Sequence, residues 1–182
     1  IYAQGAKLVN ESIANGKLFE SAAWTAATAG CKANQSTLHF LGLLSDGNVH
    51  SNIAHLKAMI AQAKADGLAR VRVHALLDGR DVPATSGGDY IADMESFFLT
   101  LNDENFDARF ASGGGRMFIT MDRYRADWPM VERGWQTHVL GVGRGFASAS
   151  EAYATLREET GAIDQDVPPF VITEDGKPVG TI

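Results

Sequence analysis

The chain has 182 residues, 45% of them hydrophobic, enough to bury the core of a single domain and too many for a disordered segment. Sixteen basic against 22 acidic residues give a net charge of −6, which excludes a nucleic-acid partner held through bulk charge, so any anion site must be local. One cysteine, Cys31, excludes an intrachain disulfide framework and a cysteine metal cage and suits a reducing, cytoplasmic setting.

No apolar stretch approaches a membrane span, and no signal peptide is recognisable, so no membrane partner is expected. Arginine outnumbers lysine ten to six, a mild pointer to carboxylate or phosphate contacts. The chain begins at Ile1 without methionine and stops just after "EDGKPVGTI". That suggests an excised piece of a longer polypeptide, a domain spanning 1–182 and truncated at its C-terminal end.

Taken in order, residues 1–34 read as helical with a break at Asn15-Gly16. "TLHFLGLL" (37–44) reads as a buried strand, followed by the loop "SDGNVHSN". Ser51 or Asn52 then caps a helix carrying Ile53, Leu56, Ile60 and Ala63, which Gly67 ends. "VRVHALL" (71–77) is a second strand. After the loop 78–88, a helix from about Asp89 carries Ile91, Met94, Phe97, Phe98 and Leu101. Residues 107–111 are a possible third strand, "SGGGR" a glycine-rich break, and "RMFIT" strand-like again. Helices are predicted over 128–140 and 150–159, and a last strand at "PFVI" (169–172) turns at Glu174-Asp175-Gly176.

Alternating strands and helices predict an α/β fold: a mixed, largely parallel β-sheet flanked by helices in three α/β/α layers. "GLLSDG" (42–47) and "ALLDG" (75–79) each end a strand with Leu-Leu and pass through Asp-Gly toward a helix. Two parallel strands ending this way put both loops at the carboxyl edge of the sheet, where open α/β sheets bind ligands.

Three loops carry the candidate chemistry. His50 precedes a helix start, where an anion meets free N–H groups, but a capping or solvated histidine fits as well. His39 and His74 fall within strands and His55 and His138 within helices, where structural roles are expected. In "LLDGRDV" (76–82), Arg80 could clamp an anion while Asp81 accepts a hydroxyl proton. The same residues could equally form an Asx turn in which Asp78 caps and Arg80 pairs internally. "GGGRMFITMDRYR" (113–125) offers Arg116 and Arg123 without a P-loop lysine, and solvated arginines remain an alternative. Asp46, Asp78, Asp81 and Asp122 could suggest a Mg²⁺ site, but the interleaved arginines compete for their oxygens. No serine nucleophile with a supporting base is evident. Together these residues suit a small polyanion with a hydroxyl to deprotonate, on a substrate-holding surface rather than a complete active site.

At these loops the chain resembles the cofactor-independent (2,3-bisphosphoglycerate-independent) phosphoglycerate mutases. The resemblance rests on "LHFLGLLSDGNVHS", "VRVHALLDGRDVP", "GGGRMFITMDRYRADWPMVERGW" and "DQDVPPFVI", in the family's order and spacing over most of the chain. It implies the family's inserted substrate-binding domain, with His50, Arg80, Asp81, Arg116 and Arg123 as substrate contacts and Asp81 as the acid/base on the glycerate hydroxyls. It also implies 3-phosphoglycerate and 2-phosphoglycerate as ligands, and a second, alkaline-phosphatase-like domain with a serine nucleophile and two Mn²⁺ (or Mg²⁺) ions. No metal is expected on this chain, and a monomer is expected. Asn48 and Asn52 stand where many members have Gly and His. The family's next arginine pair and a lysine fall past Ile182, so mutase turnover is not expected from residues 1–182 alone. A stand-alone phosphoglycerate-binding module is the competing reading, and a metal-dependent phosphatase a third. The flanking reading frame separates the first two, and Mn²⁺ titration tests the last.

Overall fold

The computed structural model describes residues 5–120 and 127–182. Three parallel strands form the heart of the sheet: β1 (Leu38–Leu44), β2 (Arg70–Leu77) and β3 (Asp107–Gly115), side by side in that order. Beyond β3 the direction reverses. β5 (Phe170–Glu174) runs antiparallel to β3, β4 (Arg144–Phe146) pairs parallel with β5, and β6 (Lys177–Pro178) closes a hairpin on β5. The sheet is therefore mixed and mostly parallel, as expected.

The helices are α1 (Gly5–Ala14), α2 (Lys17–Glu20), α3 (Ala22–Asn34), α4 (Ile53–Ala65), α5 (Gly87–Leu101), α6 (Trp128–His138) and α7 (Ala149–Thr160). Their starts are chemically marked. Ser21, Asn52, Asp127 and Ser148 each accept a hydrogen bond from a backbone N–H in the first turn, and such caps contribute about 1 kcal/mol each. No described helix is long and apolar enough to cross a membrane.

Strand alternation divides the molecule into layers. On one face Val71, Val73, Ala75 and Leu77 of β2 join Ile60 of α4, Ile91 and Met94 of α5, and Leu156 of α7 in the main core. On the other face Leu43 and Leu76 pack with Ile119. α6 also covers that face, through β3 and β5.

Three segments differ from the sequence expectation. The glycine run is not a break, because β3 continues through Ser112, Gly113, Gly114 and Gly115. Side chains are missing there because neighbours occupy the space. A Cβ on Gly113 would lie 2.5 Å from the Phe170 ring, and one on Gly115 would lie 2.2 Å from the Gln165 carbonyl oxygen. Conversely, "RMFIT" is a turn, not a strand. The N–H groups of Phe118 and Ile119 both return to the Gly115 carbonyl, and Ile119 folds under the sheet. The short strand β4 has no counterpart in the sequence expectation.

Candidate substrate-binding edge

The three parallel strands end in register: Leu44 pairs with Leu77, and Leu77 with Gly115. The next residues, Ser45, Asp78 and Arg116, therefore emerge side by side at the carboxyl edge. All three loops share that edge, one more than the Leu-Leu echo indicated. Asp78 is the hub, 98% buried. Its Oδ2 accepts from the Ser45 hydroxyl at 2.6 Å, and its Oδ1 accepts from Arg116 Nη1 at 2.7 Å and from the backbone N–H groups of Arg80 and Asp81. The last two bonds make an Asx turn, and Gly79 supplies the positive φ of 57° that it needs.

The same Nη1 of Arg116 also donates to Asp81 Oδ2 at 3.0 Å. The internal Arg80 pair foreseen as an alternative for the Asp-Arg-Asp turn is not what the two aspartates make: their partner is Arg116, from the next strand. Arg80 is exposed and forms no ion pair among the described residues. Burial alone would raise the Asp78 pKa. The Ser45 hydroxyl, the Asp81 N–H and the Arg116 guanidinium outweigh that and hold it below the usual carboxylate range. Burial pulls the Arg116 pKa down, and the hydrogen bonds to Asp81 and Asp78 more than reverse it.

Asp81 is the more open carboxylate, its side chain 15% exposed, and its Oδ1 accepts no hydrogen bond among the described residues. The preceding loop packs against it closely, since a Cβ on Gly47 would lie 2.9 Å from Asp81 Cβ. His50, three residues on, is exposed and lines a neighbouring cleft with Leu41, Ser51, Asn52, His55 and Met59. The edge thus gathers Arg80, Asp81 and Arg116, with His50 on the adjoining loop. Arg123 and Asp122 lie outside the described residues. Sequence reasoning gave Ser45 no particular role, and gave Asp78 that of shaping the turn or of joining a Mg²⁺ site, not that of a hub.

A family profile described as "BPG-independent PGAM N-terminus" matches residues 9–182. The chain belongs to that family. A probable 2,3-bisphosphoglycerate-independent phosphoglycerate mutase from Leptospira interrogans is 56% identical over 183 residues, and one from Trypanosoma brucei brucei is 49% identical over 181. A crystal structure of Leishmania mexicana phosphoglycerate mutase at low cobalt concentration superposes with a TM-score of 0.95 at 46% identity. These matches take in 100%, 98% and 98% of this chain but only 33% of each relative. In phosphoglycerate mutases of this family, then, the chain corresponds to about a third of the length.

Among the described residues, no group of three or more His, Cys, Asp or Glu stands together as a metal site. Asp78 and Asp81, the paired carboxylates of the edge, share the Arg116 guanidinium, which takes the place a cation would need. The residues at this edge do not fit the Mn²⁺ ions implied by the family resemblance.

Proposed function

We propose that this chain is the substrate-holding part of a phosphoglycerate mutase that interconverts 3-phosphoglycerate and 2-phosphoglycerate, a step of glycolysis and gluconeogenesis in the cytoplasm. The observation that carries the reading is the Arg116–Asp81 pair at the aligned strand ends, with Arg80 exposed beside it. The rest of the polypeptide would supply the serine that carries the phosphoryl group and the two Mn²⁺ or Mg²⁺ ions. The protein would act as a monomer.

Within that reading each residue has a distinct task. Arg116 fixes the Asp81 carboxylate by one oxygen and leaves Oδ1 to meet a glycerate hydroxyl. Asp81 takes the proton from the hydroxyl that is about to receive the phosphoryl group and returns it to the oxygen that has lost it, so protons balance over a cycle. Arg80 meets the substrate's carboxylate or phosphate oxygens, assisted by His50 and Arg123. The charges agree with a shared site. Arg80 and Arg116 against Asp78 and Asp81 sum to zero, so a trianionic ligand needs further cations from elsewhere in the protein.

Arg80 gives the clean test, because it is exposed and Arg116 is not. Arg80→Ala is expected to unfold at the wild-type temperature. Its KM for 3-phosphoglycerate is expected to rise about 10- to 150-fold, the loss of one charge-assisted hydrogen bond. Steady-state kinetics on the mutase that carries this chain checks it, and an unchanged KM contradicts the assignment.

A further inference from the structure

The motif "DQDVPPF" folds as a single 3-10 turn, Asp164–Asp166, and an extended exit through Val167. It sits behind the substrate edge, and its backbone bonds to two of the three loops. The Asp164 N–H donates to the Ala84 carbonyl at 2.8 Å, holding the loop that bears Arg80 and Asp81. The Gln165 carbonyl accepts from the Met117 N–H at 2.9 Å, and the Val167 carbonyl from the Gly115 N–H at 2.8 Å, holding the residues on either side of Arg116. Contact is too close for side chains: a Cβ on Gly79 would lie 2.8 Å from Asp164 Cβ.

The Asp164 side chain locks this turn in place. It is fully buried. Its Oδ2 accepts from the Gly87 N–H at 2.6 Å, at the start of α5, and its Oδ1 accepts from the Tyr153 hydroxyl of α7 at 2.6 Å. Arg157 Nη1 in turn donates to the Tyr153 oxygen at 2.9 Å and lies 3.8 Å from Asp164 Oδ1. One carboxylate therefore ties a helix start, a second helix and the turn that spaces the Asp81 loop from the Arg116 loop.

We infer that Asp164 is a positioning residue of the substrate site: through the 164–167 turn it sets the separation at which Arg116 meets Asp81. The inference rests on the functional reading above. The fit at the front of the site is tight, with 3.0 Å between Nη1 and Oδ2, and displacement of reacting groups by an ångström is costly in rate. Asp164 itself touches no substrate.

The test compares Asp164→Ala, Asp164→Asn and Tyr153→Phe in the mutase that carries this chain, assayed well below each variant's unfolding temperature. Asp164→Ala is expected to lose about tenfold or more in kcat/KM, with KM rising and kcat falling, because both loops shift. Asp164→Asn retains an acceptor for Gly87 and a donor for the Tyr153 oxygen, and is expected to recover to within about threefold of wild type. Tyr153→Phe, which removes one hydroxyl and keeps the ring, is expected to lie between the two and applies even if Asp164→Ala does not fold. Ile60→Val, a core change in α4 away from the edge, is expected to lower the unfolding temperature without altering kcat/KM. Wild-type kinetics in a folded Asp164→Ala or in Tyr153→Phe, alongside an impaired Arg80→Ala, would overturn this inference alone. Unimpaired kinetics in Arg80→Ala would overturn the functional reading beneath it.

Discussion

Asp78→Ala is expected to destabilise the fold by about 3–5 kcal/mol, the range for removing one partner of a buried charge pair. The substitution strips four donors of their acceptor at once: the Ser45 hydroxyl, the Arg116 guanidinium and the N–H groups of Arg80 and Asp81. Arg116 is 95% buried and, among the described residues, would keep only Asp81 as an ion-pair partner. Asp78→Asn preserves the shape and the turn but not the charge, and is expected to cost less, about 1–3 kcal/mol. Urea unfolding at pH 7 measures both. A loss below about 1 kcal/mol for the alanine variant, with an unchanged m-value, contradicts the hub role. The pH sign follows from the lowered pKa. The contribution of Asp78 is present above the ordinary carboxylate range and is lost as pH falls through the lower folded value.

The second large effect lies on the other face of the sheet. His39 Nδ1 meets His74 Nε2 at 2.9 Å, His74 Nδ1 meets the Ser112 hydroxyl at 2.6 Å, and the same hydroxyl meets His138 Nδ1 at 2.8 Å. This chain crosses β1, β2, β3 and α6. Among the described residues His138 Nε2 is buried without a partner. One set of neutral tautomers satisfies the geometry. His138 donates to Ser112, Ser112 donates to His74, and His74 donates to His39, leaving a bare lone pair on His138 Nε2 rather than an orphaned N–H. Adding a proton to His138 buries an N–H with no acceptor. Adding one to His74 places a charge between two other imidazoles, with the Arg72 guanidinium acting on the nearby His39.

Burial accordingly lowers the pKa of His138 to about 4. Burial, reinforced by His138 and His39, lowers that of His74 to about 3. His39 is lowered by burial and by Arg72. The unfolded chain takes up these protons near pH 6.5 and the folded chain does not, so stability is full above that pH and falls as pH drops below it. At about 1.4 kcal/mol per pH unit, His74 and His138 should each cost about 2 kcal/mol at pH 5 relative to pH 7, about 4 kcal/mol together. The window from 7 to 5 lies above the carboxylate range, so Asp78 does not contribute. Urea unfolding at the two pH values reads the difference, and equal stability contradicts the neutral, buried chain.

Much of this was legible in the sequence where the signal is local. "LHFLGLL" and "VRVHALL" announced two strands, and their shared Leu-Leu endings announced a common edge. Four contiguous segments carried the family resemblance that the comparisons bear out. Local reasoning misread the glycines of β3, because low strand propensity is a property of the residue. The Phe170 ring and Gln165 backbone that require the missing side chains come from fifty or more residues away. The Asp81–Arg116 pair depends on the register of β2 against β3, which includes a shift between Val73 and His74. Asp164 opens "DQDVPPFVI", one of the segments of the resemblance, but nothing local marks what its side chain does. Its partners Gly87 and Tyr153 lie 77 and 11 residues distant.

The most direct test of the proposed substrate site is amide chemical-shift mapping during titration with 3-phosphoglycerate. Saturable shifts are predicted at Gly47, Arg80, Asp81 and Arg116, the residues at and beside the three strand ends. No saturable shift, or shifts confined to the cleft beside Leu41 and Met59, would contradict it.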